Sequence, residues 1–135
     1  MPTPRGAWVM LDMSPKMDNA EFGDGDSVMI TGLVPVNGYI REAWYGVGIA
    51  FPAGNLQLHK FTASNASINL LTAVNVSIGS AAISGNIATT IPNLASNLAV
   101  LRVLAGQTIR ATWTFTTVGA GDGPSCQVWI EPEVW

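Results

Sequence analysis

The chain has 135 residues, enough for one domain with a single sizeable core and too few for two. Only 11% of its residues are charged and 48% are apolar, so Ser, Thr, Asn, Gln and Gly must form much of the surface, unlike a typical soluble domain with about 25% charged residues. The net charge of -3, with six scattered Lys and Arg, excludes nucleic acid as the main partner, because neutralising phosphates requires clustered cations.

In chain order, Pro2 and Pro4 forbid a helix start and favour polyproline-like extension. Residues 1–6 are therefore expected to form an extended arm, and residues 7–135 the domain. Pro2 and Pro4 lower the entropy lost when such a segment is fixed on a partner, and Arg5 adds a charged contact. The arm lacks the apolar core of a signal peptide, and no run approaches the roughly 20 apolar residues of a membrane span, so synthesis in a cytoplasm and no membrane partner are expected.

Residues 7–13 read as a first strand closed by Ser14-Pro15, followed by a polar loop with Asp18, Glu21, Asp24 and Asp26. Residues 27–34 read as a second strand, ending before Pro35 and the turn at Asn37-Gly38. In a third strand over 39–51, period-2 alternation puts Arg41, Ala43, Tyr45, Val47, Ile49 and Phe51 on the core face. Glu42, Trp44, Gly46 and Gly48 then face outward, an indole beside a shallow apolar shelf. A turn over 52–55 leads to a strand over 56–62 with Leu56 and Leu58 on one face.

Residues 63–97 carry no charge, yet their aliphatic content is too high for a solvated linker, so short strands such as 74–78 and 83–90 are expected. A helix over 68–76 is disfavoured by Asn69, Asn75 and β-branched neighbours. The apolar run from Leu98 reads as a strand turning at Ala105-Gly106. After it, Ile109, Ala111, Trp113 and Phe115 alternate with Thr108, Arg110, Thr112, Thr114 and Thr116, the pattern of a strand with one dry and one wet face. A Gly-rich turn over 118–124 precedes a last strand ended by Pro132, with Cys126, Val128 and Ile130 inward and Trp129 outward. About eight short strands without a long helix predict an all-β, single-domain β-sandwich of jelly-roll or Greek-key type, with a small closed barrel as the alternative.

Few residues suggest chemistry. His59 is the only histidine and reads as a rim residue, and Cys126 as a small buried apolar group with no second cysteine to pair or share a metal. Asp18, Glu21, Asp24 and Asp26 offer oxygen ligands for calcium but lack the spacing of a known loop, so solvated turn residues are expected there, with no metal or cofactor and no catalytic set. The Asn-x-Ser sites at Asn65 and Asn75 read as chance in an Asn- and Ser-rich chain. Trp44 and Trp129 face away from the aliphatic side of their strands, so a lone copy would expose them. They are the expected contact of a symmetric homo-oligomer.

The apolar-basic run with Arg102, the Ala105-Gly106-Gln107 turn, the Thr-rich strand 108–116, the turn 119–124 and the strand 128–132 resemble the small jelly-roll structural proteins of tailed bacteriophages, the head decoration or cement proteins foremost. The resemblance covers roughly the last quarter of the chain. It implies a non-enzymatic virion protein on the capsid surface, commonly trimeric, that sits over junctions of the major capsid protein and secures them against internal pressure. Tail and fibre modules share the pattern, which implies a receptor- or carbohydrate-binding module as the alternative and a small glycan-active enzyme as a distant third.

Overall fold

The computed structural model describes residues 7–78, 89–91 and 94–133. Its longest strand is β9 (Thr108–Thr117), where the alternation seen in the sequence becomes an inner row of Ile109, Ala111, Trp113 and Phe115, all buried, and an outer row of threonines with Arg110. β9 lies between β2 (Asp26–Leu33) and β4 (Ala53–Phe61), and β4 pairs in turn with the short β5 (Ser67–Asn69) and β6 (Val76–Ser77). The other sheet runs β1 (Val9–Asp12), β10 (Ser125–Pro132), β3 (Gly38–Gly46) and β7 (Thr89–Thr90), and the two residues of β8 (Arg102–Val103) also pair with β3. All pairings are antiparallel.

Followed along the chain, β1, β3, β7, β8 and β10 belong to the first sheet, and β2, β4, β5, β6 and β9 to the second. Among the described strands the chain crosses between sheets in six of nine connections, and the orders β1-β10-β3-β7 and β2-β9-β4-β5 are the winding of a jelly-roll type of β-sandwich rather than of an up-and-down barrel. The inward rows meet in one core. Phe22, Phe51 and Phe115 cluster with ring centroids 4.6–5.8 Å apart, and Trp113 stacks on Phe115 at 6.3 Å while its indole N–H donates to the Met13 carbonyl at 3.3 Å. Leu56 and Leu58 of β4 and Cys126, Val128 and Ile130 of β10 point inward as their alternation predicts.

Several expectations are corrected. The register between β10 and β3 slips at Trp129/Ile130, so Glu42 faces Trp129 while Ile40 faces Ile130 and Arg41 is the extra residue of a bulge. The bulge turns Ile40 into the core and Arg41 out to solvent, whereas uninterrupted alternation had put Arg41 on the inner face. β3 stops at Gly46 rather than at residue 51. The Gly48 N–H then donates to the Asp122 carbonyl, Ile49 is 52% exposed, and Phe51 re-enters the core. The strand expected from residue 56 already begins at Ala53, through a register shift between Ala53 and Asn55.

The run expected as a strand from Leu98 opens as a helical turn, α1 (Leu98–Leu101), because the Asn97 side chain accepts the Ala99 N–H at 2.9 Å and caps it. A short apolar run does not distinguish helix from strand by period alone. Of the uncharged window, β5, β6 and β7 are strands and Leu70, Leu71, Ile78 and Ile91 are buried, but Val74 is exposed. The arm with Pro2, Pro4 and Arg5 and the piece 83–88 lie outside the described residues.

Lys60 follows Leu56 and Leu58 on the inner row of β4 and is only 4% exposed. Its ammonium donates to the carbonyls of Ala99 at 3.1 Å and Arg102 at 2.7 Å, so it ties the second sheet to α1 and to the start of β8 in the first. Burial disfavours the charged form and pushes its pKa below 10.5. Lys60→Met leaves those carbonyls without this donor and is expected to lower stability by about 2–3 kcal/mol in urea denaturation. Between the folded pKa and 10.5 the unfolded chain binds more protons than the folded one. The stability advantage of wild type over Lys60→Met therefore rises with pH through that window.

Candidate docking face

The outer face of the first sheet is built by three neighbouring strands. On it Trp129 lies opposite Met10 of β1 and Glu42 of β3, and Trp44 lies opposite Gln127 of β10. The two indoles are therefore diagonal neighbours across the β3–β10 pair, a spacing within reach of large rings. Trp44 donates its indole N–H to Glu42 Oε2 at 2.9 Å, which fixes the ring over the sheet. Both indoles are half-buried within a single copy, so the area left for a partner to cover is a fraction of a full indole rather than the whole ring that bare alternation suggests.

Beyond the bulge the same face changes character. Tyr39 lies between Arg41, 5.2 Å from its ring centre, and Arg102, 6.0 Å from it. Arg41 pairs with Glu131 at 2.9 Å and Arg102 with Glu133 at 3.0 Å. Each exposed pair contributes little to stability, but together with the aromatic ring they hold two guanidinium groups in fixed places. The outward-turned Arg41 and its pairing with Glu131 depend on the bulge, which period-2 alternation does not reveal. The shelf expected beside Trp44 is shorter than its glycines suggest, because Gly46 is buried against Ser125 and Gly48 lies beyond the strand.

The outer face of the second sheet is polar along β9, with Met29 and Leu33 exposed at its β2 edge. Arg110 lies over the Phe61 ring at 4.4 Å, in a row with Thr31 and His59, and Gln57 and Met29 flank Thr112. His59 is half-buried there, and burial, reinforced by the charge of Arg110, pushes its pKa below 6.5. The placement of Arg110 on this wet face was legible in β9, but its stacking on Phe61 arises from a long-range strand pairing.

The carboxylates of the acidic loop cap backbone rather than converge. Glu21 Oε1 accepts the Asp18 N–H at 2.8 Å across a single 3-10 turn, Asn19–Glu21. Asp24 Oδ1 accepts the Val118 N–H at 2.8 Å, and Asp26 Oδ2 the Gly23 N–H at 2.7 Å. Among the described residues no group of three or more His, Cys, Asp and Glu is placed to hold a metal ion, and no helix is long and apolar enough to cross a membrane. Cys126 is fully buried, and burial, with the charge of Asp12 adding to it, pushes its thiol up to about 12. Trp113 is a core residue, as expected.

Compared with family models, curated proteins and solved structures, the chain matches none.

A His59 proton NMR titration is expected to give a midpoint below 6.5. Because the folded pKa is depressed, stability present above 6.5 is lost as pH falls through the folded value, where the unfolded chain takes up the proton more readily. His59→Gln should flatten that part of the stability profile, read as melting temperature against pH.

Proposed function

We propose that this chain is a non-enzymatic structural protein of a virion, a capsid decoration or cement protein that seats itself over junctions of the major capsid protein. The observation that carries the proposal is the outer face of the first sheet, where two diagonal indoles adjoin a braced patch of Arg41, Arg102 and Tyr39. Side chains held in place before contact lose less entropy on docking, which suits a permanent assembly contact. The jelly-roll winding agrees with the fold that the phage resemblance implies. In this proposal Trp44 and Trp129 close a symmetric trimer, and the arm with Pro2, Pro4 and Arg5, which leads into the edge of the same sheet, docks on the capsid.

A second reading, a receptor- or carbohydrate-binding module of a tail or fibre, is favoured by the polar second face, where Arg110 over Phe61 lies beside His59 and Gln57. The two readings separate experimentally. Antibody labelling in electron micrographs of particles from the source of the gene should decorate the head, and label confined to tails or absent from particles overturns the cement proposal. A defined sugar on a glycan array, with binding lost in Arg110→Ala, supports the alternative. Trp129→Arg should give folded chains of lower assembly mass by light scattering, and a wild type that is monomeric at micromolar concentration refutes the trimer.

A further inference from the structure

The edge of the second sheet presents a feature that the cement proposal does not use. β2 pairs with β9 through eight consecutive residues without a register break, and among the described residues no strand lies on its other side. The other edge strands are short, with four residues in β1, three in β5 and two each in β6, β7 and β8. Proteins guard long edges with lysine, proline or a bulge. The sequence of β2, DSVMITGL, contains neither lysine nor proline, and Met29 and Leu33 on its outer row are 62% and 65% exposed.

The direction of its free backbone groups follows from one hydrogen bond. The Val34 N–H donates to the Gln107 carbonyl at 2.9 Å, so the even-numbered residues of this segment direct their backbone groups to β9. Alternation then leaves the N–H and C=O groups of Ser27, Met29, Thr31 and Leu33 pointing to the open edge. These odd-numbered residues include the two exposed apolar side chains.

We propose that a second copy of this chain lays its β2 antiparallel against this one about a twofold axis at Thr31, joining the two second sheets into one continuous sheet. In that register Met29 lies opposite Leu33 of the second copy, Leu33 opposite Met29, and Thr31 opposite Thr31. Each of these pairs exchanges two backbone hydrogen bonds. The same register sets the half-buried Ile30 beside the side-chain-free Gly32 of the second copy.

Self-complementarity singles out a second copy as the occupant. One register satisfies the free backbone groups around Thr31 and covers both exposed apolar side chains on each copy, and an isologous contact of this kind closes on itself. Residues 27–33 carry no charge, and the antiparallel arrangement keeps the two Asp26 carboxylates at opposite ends of the seam, where a parallel in-register one would oppose them. The two Arg110 side chains, one strand back from the seam, lie three strand spacings apart, about 14 Å, which exceeds the Debye length of about 8 Å at physiological salt. This contact is separate from the ring proposed through Trp44 and Trp129.

The register provides its own test. Thr31→Cys sets two thiols on residues whose Cα atoms are about 5.5 Å apart, within disulfide reach, so mild oxidation of the full chain should give a covalent dimer. Met29→Cys alone should remain uncrosslinked, since its symmetry mate lies four residues away along the seam, about 13 Å, whereas Met29→Cys with Leu33→Cys should crosslink. Cys126, buried with its thiol at about 12, does not compete. The double variant Met29→Lys, Leu33→Lys should halve the assembly mass in sedimentation with an unchanged circular dichroism spectrum. The proposal is overturned if Thr31→Cys stays uncrosslinked at every concentration, which is also the result if a different protein occupies this edge, or if Met29→Cys crosslinks as readily as Thr31→Cys. A mass that survives folded Lys variants overturns it too. A negative particle label, or a mass unchanged by Trp129→Arg, bears on the cement proposal and leaves these readouts untouched.

Discussion

The aromatic seam along β9 is the contact on which the two sheets depend. Trp113 and Phe115 project from the middle strand of the second sheet, and Phe22 and Phe51 reach them from connecting loops. Large rings carry much of the apolar area that a small core can bury, so loops that deliver a ring to the seam are fixed with it. Phe22 holds the acidic loop this way, and the carboxylates of Asp24 and Asp26 then find backbone N–H groups within reach. Charges that look like a ligand set in the sequence are thus loop closures serving an aromatic plug.

With so few charges, their distribution defines the faces. The pairs Arg41–Glu131 and Arg102–Glu133 lie on the first sheet, and Lys16 pairs with Asp12 at its edge at 2.7 Å. The outer row of the second sheet is dominated by threonine, with Arg110 stacked on an aromatic ring. One sandwich therefore presents a side of paired charges and indoles, and a threonine-rich side with one stacked cation and an apolar edge at Met29 and Leu33. This asymmetry sets the two functional readings apart.

How much of this was legible depended on the range of the interaction. The alternation in β9 and β10 and the Leu56-Leu58 row were visible because side-chain direction in a strand is local. The bulge at Arg41 was not, since it arises from the register with a strand some ninety positions away, and it reverses inside and outside for the residues before it. The helical turn at Leu98 is local, but its signal, Asn97 as a cap, was overshadowed by an apolar run that fits either structure. Trp44 and Trp129 were recognised as outward-facing. That they shield themselves against their own sheet was not, because cross-strand partners such as Met10 and Gln127 become known only once the strand order is known.

The burial of Cys126 also gives the molecule an internal clock. The residue sits on β10, between β1 and β3, faces Tyr45 across the ladder, and its carbonyl accepts the Met13 N–H at 2.8 Å. A thiol-directed reagent in solution meets this sulfur only when the core packing around the start of β10 opens. The rate of its modification under native conditions therefore reports how often the core opens at the end of the sandwich where β10 begins.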